Sequence, residues 1–188
     1  GNRTTQRTAL PTVSWRMLNA GVAPSKSTTA QIDDQAGILE GWSEVDCELA
    51  KLNGNVGAFR LSEATAFLEA MNQEFCQTLM YGNTGLAQEE FTGFAPRYAA
   101  ISGAPNASNV ISAAGSGSDN ASIWLVVWGD QTVHGIFPKG SKAGLEHQNL
   151  GEVTVEATAG VGGNRMRAYQ DRWVWKGGLT VKDWRYVV

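Results

Sequence analysis

One long amphipathic helix constrains this chain more than any other feature. Between residues 61 and 82, apolar side chains recur every four positions at Phe67, Met71, Phe75 and Leu79, which places them on one face of an α-helix. About 20 helical residues make a rod of ~30 Å. In a chain of 188 residues, such a rod has to span the domain and carry its core.

Capping residues define the ends of this helix. Ser62 is a suitable N-cap, Glu63 complements the helix dipole, and Gly82 provides the C-terminal stop. The sequence therefore predicts a helix over residues 62–81. A shorter helix is predicted over residues 43–52, ending at an Asn-Gly pair.

The segment before the helices favours a long β-hairpin. Apolar residues alternate with other residues from position 12 to 18, a turn-rich stretch follows at residues 19–29, and a second extended piece covers residues 31–40. Together they predict a hairpin over roughly residues 12–42. Because two strands bury little apolar surface, such a hairpin has to lie against something else.

The remaining segments read as an arm, a connection and a sheet. Residues 1–10 form a polar arm without periodicity, and residues 83–122 form a loop-rich connection with packing residues between positions 91 and 98. Strands are predicted at residues 123–128, 132–137, 152–158, 165–175 and 179–188. Lys176, Gly177 and Gly178 are predicted to form the tight turn between the last two strands.

Charge and composition exclude several classes of function. There are 15 Lys and Arg residues against 18 Asp and Glu residues, so the net charge is −3, without the positive field of a dedicated nucleic-acid binder. No apolar run approaches the ~20 residues of a membrane span, and no secretory signal is seen, so we expect a soluble protein. Charged residues make up 18%, below the ~25% of an average domain, which favours surfaces that meet other protein.

Reactive side chains are few and poorly placed for catalysis. His134 and His147 are the only imidazoles, and Ser116 and Ser118 lack the spacing of a nucleophile elbow. We expect structural histidines, no catalytic residue, no metal and no cofactor. A hydrolase that uses Ser118 and His134 stays as a minor alternative.

Two further pairs of residues have structural interpretations. Cys47 and Cys76 lie 29 positions apart without a Cys-x-x-Cys motif, so we expect two reduced, partly buried thiols. Asp33 and Asp34 are adjacent carboxylates, which we expect to be solvated or to lie between subunits.

Several long motifs occur in a familiar order. They are LPTVSWRMLNAGVAPSKSTTAQ from Leu10, GWSEVD to Asp46, LSEATAFLEAMNQEFCQTLMYG over 61–82, FTGFAPRY over 91–98, GSGSDNASIWLVVWG with TVHGIFPKGSKAGL over 115–145, and GLTVKDWRYVV at the end. From about residue 10 to residue 188, the chain resembles a family of tailed-phage major capsid proteins.

The resemblance implies an α+β Hong Kong 97-like capsid fold. It implies an N-terminal arm at residues 1–10, an extended loop hairpin and short helix at 11–58, and a peripheral-type domain at 59–188, with the spine helix at 62–81 and a β-region at 123–188. Family members usually continue beyond the equivalent of the last residue, so an axial domain is expected to be missing from this chain.

The implied function is self-assembly without catalysis. We expect a homo-oligomer of pentamers and hexamers in an icosahedral shell, with scaffolding, decoration and portal proteins as possible partners, and with packaged phage DNA near the shell by non-specific proximity. The expected location is the virion, after assembly in the host bacterial cytoplasm. A decoration or tail component is the alternative within virion proteins.

Candidate contact residues follow from the hairpin and the helix, because interfaces are enriched in aromatic and Met side chains. The expected inter-subunit residues are Trp15, Arg16, Met17, Lys26, Ile32, Asp33, Asp34, Ile38 and Trp42. The expected core of the spine helix is Phe67, Met71, Phe75 and Leu79.

Overall fold

The computed structural model describes residues 2–52, 54–115, 121–157 and 162–188. The strands are β1 (Asn2–Ala9), β2 (Thr28–Asp34), β3 (Ala36–Asp46), β4 (Val133–Ile136), β5 (Gly144–Glu156) and β6 (Arg165–Val181), and the helices are α1 (Cys47–Leu52), α2 (Val56–Tyr81) and α3 (Phe94–Arg97). Antiparallel pairing and few helices confirm the predicted α+β class.

The chain divides into two compact units. The first contains residues 1–36, 79–136 and 178–188, and the second contains residues 37–78 and 137–177. Both units are therefore built from stretches that are far apart in the sequence. Within the described residues, no helix has the length and apolar character needed to cross a membrane.

The first unit begins with a pair of strands that lie at other positions than predicted. β1 pairs with β2 in antiparallel register from Asn2↔Asp34 to Ala9↔Thr28. The predicted arm at residues 1–10 is therefore mostly a strand, and residues 12–18, predicted as a strand, have no strand structure. β1 is held by polar contacts that an apolar pattern does not predict, such as the hydrogen bond from the Gln6 side-chain amide to the Val181 carbonyl at 3.2 Å.

Aromatic side chains fill the core of the first unit. Phe91, Phe94 and Tyr98 are buried, as expected for the packing residues of the connection. The Phe94 ring lies 5.8 Å from the Trp124 ring. β4 pairs with the end of β6 in antiparallel register, from Val133↔Val181 to Ile136↔Gly178.

The strand predicted at residues 123–128 is reduced to isolated bridges. Val126 bridges to Val187, and Trp128 bridges to Val133. The strand predicted at residues 179–188 is replaced by the end of β6 and a 3₁₀ turn at Trp184–Tyr186.

In the second unit, the long helix α2 begins earlier than predicted. It starts at Val56 rather than Ser62 and ends at Tyr81, as predicted from Gly82. Asn55 is the residue that starts it, because its side-chain oxygen accepts a hydrogen bond from the Ala58 amide at 3.0 Å. The short helix α1 starts later than predicted, at Cys47 rather than at residue 43, because the preceding residues belong to β3.

A long antiparallel pair of strands packs against the helix within this unit. β5 pairs with β6 from Gly144↔Lys176 to Glu156↔Arg165, with one irregularity between Asn149 and Gly151. The sheet order is β3-β6-β4, and β5 also pairs with β6. β5 starts earlier than the predicted strand at residue 152, and the end of that prediction, Thr158, lies outside the described residues.

The turn predicted at Lys176-Gly177-Gly178 is wrong, because β6 continues through it to Val181. Neither glycine has a positive φ; both are needed for close packing. A Cβ on Gly177 would lie 3.0 Å from the Phe75 ring, and one on Gly178 would lie 2.5 Å from the Gln35 carbonyl oxygen. These glycines therefore let neighbouring groups approach the strand.

Candidate assembly interface

The loop between β1 and β2 exposes a run of apolar side chains. Val13 is 86% exposed, Met17 82%, Leu18 94%, and Trp15 104%, so the Trp15 side chain is fully exposed. Arg16 and Lys26 are exposed in the same loop. Exposed apolar patches are typical of interaction sites, so this loop is a candidate.

Short hydrogen bonds shape this loop. The Ser25 hydroxyl donates to the Thr12 carbonyl at 2.6 Å, and the Arg16 guanidinium donates to the Ala20 carbonyl at 3.1 Å. Asn19 has a φ of 63°, a left-handed conformation that Asn tolerates better than most residues. The loop therefore holds a turn while its apolar side chains face solvent.

On β2, the adjacent carboxylates Asp33 and Asp34 have opposite environments. Asp33 is exposed, and its oxygens accept two hydrogen bonds from Arg3 at 2.8 and 2.9 Å. That guanidinium lowers the pKa of Asp33. Asp34 is only 3% exposed, so the expectation of a solvated or inter-subunit charge is wrong for Asp34. The third candidate on this strand, Ile32, is half-buried.

Asp34 is instead the centre of a buried polar network. Its carboxylate pairs with the Arg97 guanidinium at 2.7 Å and accepts a hydrogen bond from the Thr180 hydroxyl at 2.5 Å. The Thr180 hydroxyl also lies 3.0 Å from the Thr4 hydroxyl. These contacts connect β1, β2, α3 and β6, so they hold the strands that carry the exposed loop.

The candidates Ile38 and Trp42 lie on β3, in the second unit, and not on the strand pair that carries Trp15. Ile38 is 61% exposed and Trp42 is 47% exposed. The Trp42 indole nitrogen donates to Glu40 at 2.6 Å, and the Arg172 guanidinium lies 5.5 Å from its ring centroid. Hydrogen bonding from Arg172 lowers the pKa of Glu40.

The four candidate core residues of the helix line one face, to different depths. Met71 is buried at 5% exposure, whereas Phe67, Phe75 and Leu79 are half-buried. Phe67 stacks on Trp173 at 5.0 Å, and Phe75 stacks on Trp175 at 4.3 Å. The helix face thus packs on aromatic side chains of β6.

Comparison with known proteins identifies the family. The family described as major capsid protein GP7 matches residues 1–188. This chain belongs to the GP7 major capsid protein family. The resemblance to tailed-phage major capsid proteins is thereby confirmed. No curated protein matches the chain.

A solved phage structure contains a similar chain. A chain of the near-atomic cryo-electron microscopy structure of bacteriophage epsilon15 is 33% identical, with a TM-score of 0.64. The match covers 98% of this GP7-family chain and 55% of that chain. This chain therefore spans about half the length of that relative.

The two histidines have different surroundings in this GP7-family chain. The His147 Nε2 atom lies 2.9 Å from Asp171, which also pairs with Arg60 at 2.7 Å. The buried His134 Nδ1 atom has no hydrogen-bond partner among the described residues. Ser118, its partner in the alternative hydrolase, lies outside the described residues, as does Ser116.

The cysteines differ in burial. Cys47 is 1% exposed, and burial raises the pKa of its thiol. Cys76 is exposed, so the expectation of partial burial fails for it. In the described part of the chain, no group of three or more His, Cys, Asp or Glu residues could hold a metal ion.

Proposed function

We propose that many copies of this chain, as part of the full protein, self-assemble into the icosahedral shell that encloses phage double-stranded DNA. Family membership over all 188 residues supports this proposal. The observation that carries it is the fully exposed Trp15 among Val13, Met17 and Leu18. A folded chain gains nothing from such a cluster until a neighbouring surface covers it.

The proposed architecture is the Hong Kong 97-like capsid fold. α2 would be its spine helix, and residues 59–188 would form its peripheral-type domain. Residues 1–10 remain the proposed arm, although most of them form β1, and residues 11–58 remain the proposed extended loop and short helix. Among the described residues of 11–58, those in the loop before β2 are the most exposed.

The contacts between copies are proposed to involve two surfaces. The first is the loop with Trp15, Arg16, Met17 and Lys26, together with Ile32 and Asp33 on β2. The second is the exposed part of β3 with Ile38 and Trp42. Repeated head-to-tail contacts of this kind close into rings around symmetry axes, and each weak contact is multiplied by the number of copies.

The proposed role requires no reaction, and the function is structural. The shell would be assembled in the host bacterial cytoplasm and end as the capsid of the virion. Scaffolding, decoration and portal proteins are the proposed partners. The net charge of −3 suits a wall that encloses DNA without binding it tightly.

Electron microscopy of the expressed full-length protein tests this proposal. After size-exclusion chromatography, negative staining is expected to show shells, or rings of five or six copies. A protein that stays monomeric at all concentrations, alone and together with the other structural proteins of its phage, would contradict the proposal.

A further inference from the structure

A cavity of about 360 Å³ lies in the first unit. Ile32, Tyr98, Pro105 and Trp184 supply apolar wall, and Asp33 lies among the polar lining residues. Sites that accept compact organic groups have volumes of ~300–1,000 Å³, so this cavity has room for one large aromatic side chain. Its mixed lining also suits an indole, which has an apolar ring and one polar N–H.

The same unit carries a large aromatic side chain that is fully exposed. Trp15 is 104% exposed at the loop between β1 and β2. Hydrogen bonds within the loop, from Ser25 and Arg16, already restrict its backbone, which reduces the entropy lost on docking. A Trp side chain buries ~150–250 Å² when it is enclosed, so it is well suited to anchor a contact.

The loop is basic, whereas the cavity lining contains two carboxylates, Asp33 and Asp34, against one guanidinium, Arg97. Residues 10–27 contain Arg16 and Lys26 and no acidic residue. Asp33, in the cavity wall, is 59% exposed at its side chain and is paired with the 67% exposed Arg3. Arg3 holds Asp33 through two hydrogen bonds at 2.8 and 2.9 Å, and exposed ion pairs contribute little to stability. Its neighbour Asp34 is buried against Arg97, so Asp33 is the more accessible of the two carboxylates.

We propose that Trp15 of one copy inserts into the cavity of a second copy, while Arg16 pairs with Asp33 of that second copy. The inference rests on the proposed shell function, which supplies identical copies as neighbours. Since Trp15 is fully exposed and does not line the cavity of its own chain, the inserting group and the receiving cavity are different surfaces of one molecule. A contact between two different surfaces passes from copy to copy, as rings require.

Photo-crosslinking in assembled particles tests this contact directly. The full-length protein carries a benzophenone amino acid in place of Trp15, and particles are assembled from a mixture of ¹⁵N-labelled and unlabelled copies. Mass spectrometry then identifies the crosslinked peptides. The expected crosslinks join a labelled to an unlabelled peptide and end at Ile32, Pro105 or Trp184.

A charge swap provides a second test that keeps the indole. Arg16→Asp and Asp33→Arg are each expected to lower particle yield about tenfold, because like charges then face each other across the contact. The double variant restores the pair in reverse and is expected to recover most of the yield. Leu86→Ala, which changes an 88% exposed apolar residue outside the loop and the cavity lining, is the matched control and should assemble normally.

The outcomes separate this inference from the proposed function. If the unaltered protein forms no particles, the proposed function fails. In a second case, the unaltered protein forms particles, but the crosslinks end at other residues, within the same copy or on another protein, or do not form at all. Each of these results overturns only the inference that Trp15 inserts into the cavity of a second copy. If the benzophenone variant does not assemble, the charge swap decides, and a double variant that is no better than the single ones overturns the inference.

Discussion

At the scale of single residues, burial separates neighbours that look equivalent in the sequence. Asp33 and Asp34 follow each other on β2, yet one carboxylate is exposed and the other is 3% exposed with Arg97 and Thr180 as partners. A buried charge depends on its partners, because water cannot replace them. The same residue type therefore has different energetic roles at adjacent positions.

Removing Asp34 is expected to be far more costly than removing Asp33. Asp34→Ala leaves the Arg97 guanidinium buried without its carboxylate and should lower the free energy of unfolding by about 3–5 kcal/mol. Asp33→Ala removes an exposed pair and should change it by about 0–1 kcal/mol. Urea denaturation followed by circular dichroism measures both. Equal midpoints for the two variants would contradict the assignment of Asp34 to the interior.

Tyr98 predicts a loss of stability in alkali. Burial raises the pKa of its phenol above the usual ~10, so the folded protein holds this proton more tightly than the unfolded chain. The contribution is fully present below about pH 10 and is lost as the pH rises above that value. Tyr98→Phe removes this contribution, so the unfolding free energy of the variant should fall less steeply above pH 10.

The neutral-pH cost of the same substitution is expected to be small. The Tyr98 hydroxyl donates to the Trp184 carbonyl at 3.0 Å, and Asn109 donates to that carbonyl as well. Loss of one such bond costs about 0.5–1.5 kcal/mol. Tyr81→Phe, at a 59% exposed position, controls for the substitution itself. Parallel pH profiles for the wild type and Tyr98→Phe would refute the role of the buried phenol.

At the scale of elements, local sequence patterns predicted the end of the long helix α2 better than its start. The end of α2 at Tyr81 followed from Gly82, but its start at Val56 depends on the Asn55 cap. Asn is among the preferred N-cap residues, so this start could have been found from the sequence. Ser62 met the same criterion, and only tertiary packing decides between the two.

The strands show why alternation alone misleads. Val13, Trp15 and Met17 alternate like a buried strand, but their side chains face solvent. β1 lacks an apolar alternation, yet Thr4 is buried, because its hydroxyl meets that of Thr180 from a strand far along the chain. Such distant pairings are absent from any local window.

The candidate interface was predicted in part. The sequence predicted Trp15 and Met17 as contact residues on a hairpin strand, whereas they lie in an exposed loop without strand structure. The burial of Asp34 and the cavity beside Asp33 could not be predicted, because they depend on Arg97 and on the 3₁₀ turn near Trp184.

Gly178 is expected to resist any added side-chain atom. A Cβ there would lie 2.5 Å from the Gln35 carbonyl oxygen and 3.1 Å from the Ala36 Cα, and backbone atoms cannot move away easily. Gly178→Ala should destabilise the protein by about 1–3 kcal/mol. Gly21→Ala is the control, since its Cβ would meet nothing within 4 Å. If both variants melt at the wild-type temperature, β6 does not pass Gln35 this closely.

Met71 is expected to matter more than its neighbours on the exposed side of α2. Met71→Ala removes a 5% exposed side chain and should cost about 2–5 kcal/mol. Leu61→Ala, on the same helix, removes a 69% exposed side chain and should cost less than about 1 kcal/mol. Thermal unfolding of the two variants compares them. A larger loss for Leu61→Ala would assign the wrong face of the helix to the core.

At the scale of the whole molecule, stability and assembly depend on different residues. Asp34, Met71 and Gly178 pack inside the units, whereas Trp15 is fully exposed. A surface that is not needed for folding is free to be used between copies.

Trp15→Ala is expected to separate the two properties. The unfolding free energy should stay within about 0.5 kcal/mol of the wild-type value, because no packed contact is lost. Particle yield should fall sharply in electron microscopy and size-exclusion chromatography. Trp42→Ala should also lower particle yield, while the helix content by circular dichroism stays unchanged for both. Normal particle yield from Trp15→Ala would remove the case for the loop as an inter-subunit surface.

The discontinuous first unit has a consequence for how the protein is made. Its β1 residue Thr4 contacts Thr180, and Gln6 contacts Val181. A ribosome that adds ~5–20 residues per second needs roughly 9–35 s to get from one partner to the other. During that interval β1 and β2 can pair only with each other, and a lone pair of strands is at best marginally stable. The first unit can therefore be completed only after β6, near the end of this sequence, has been synthesised.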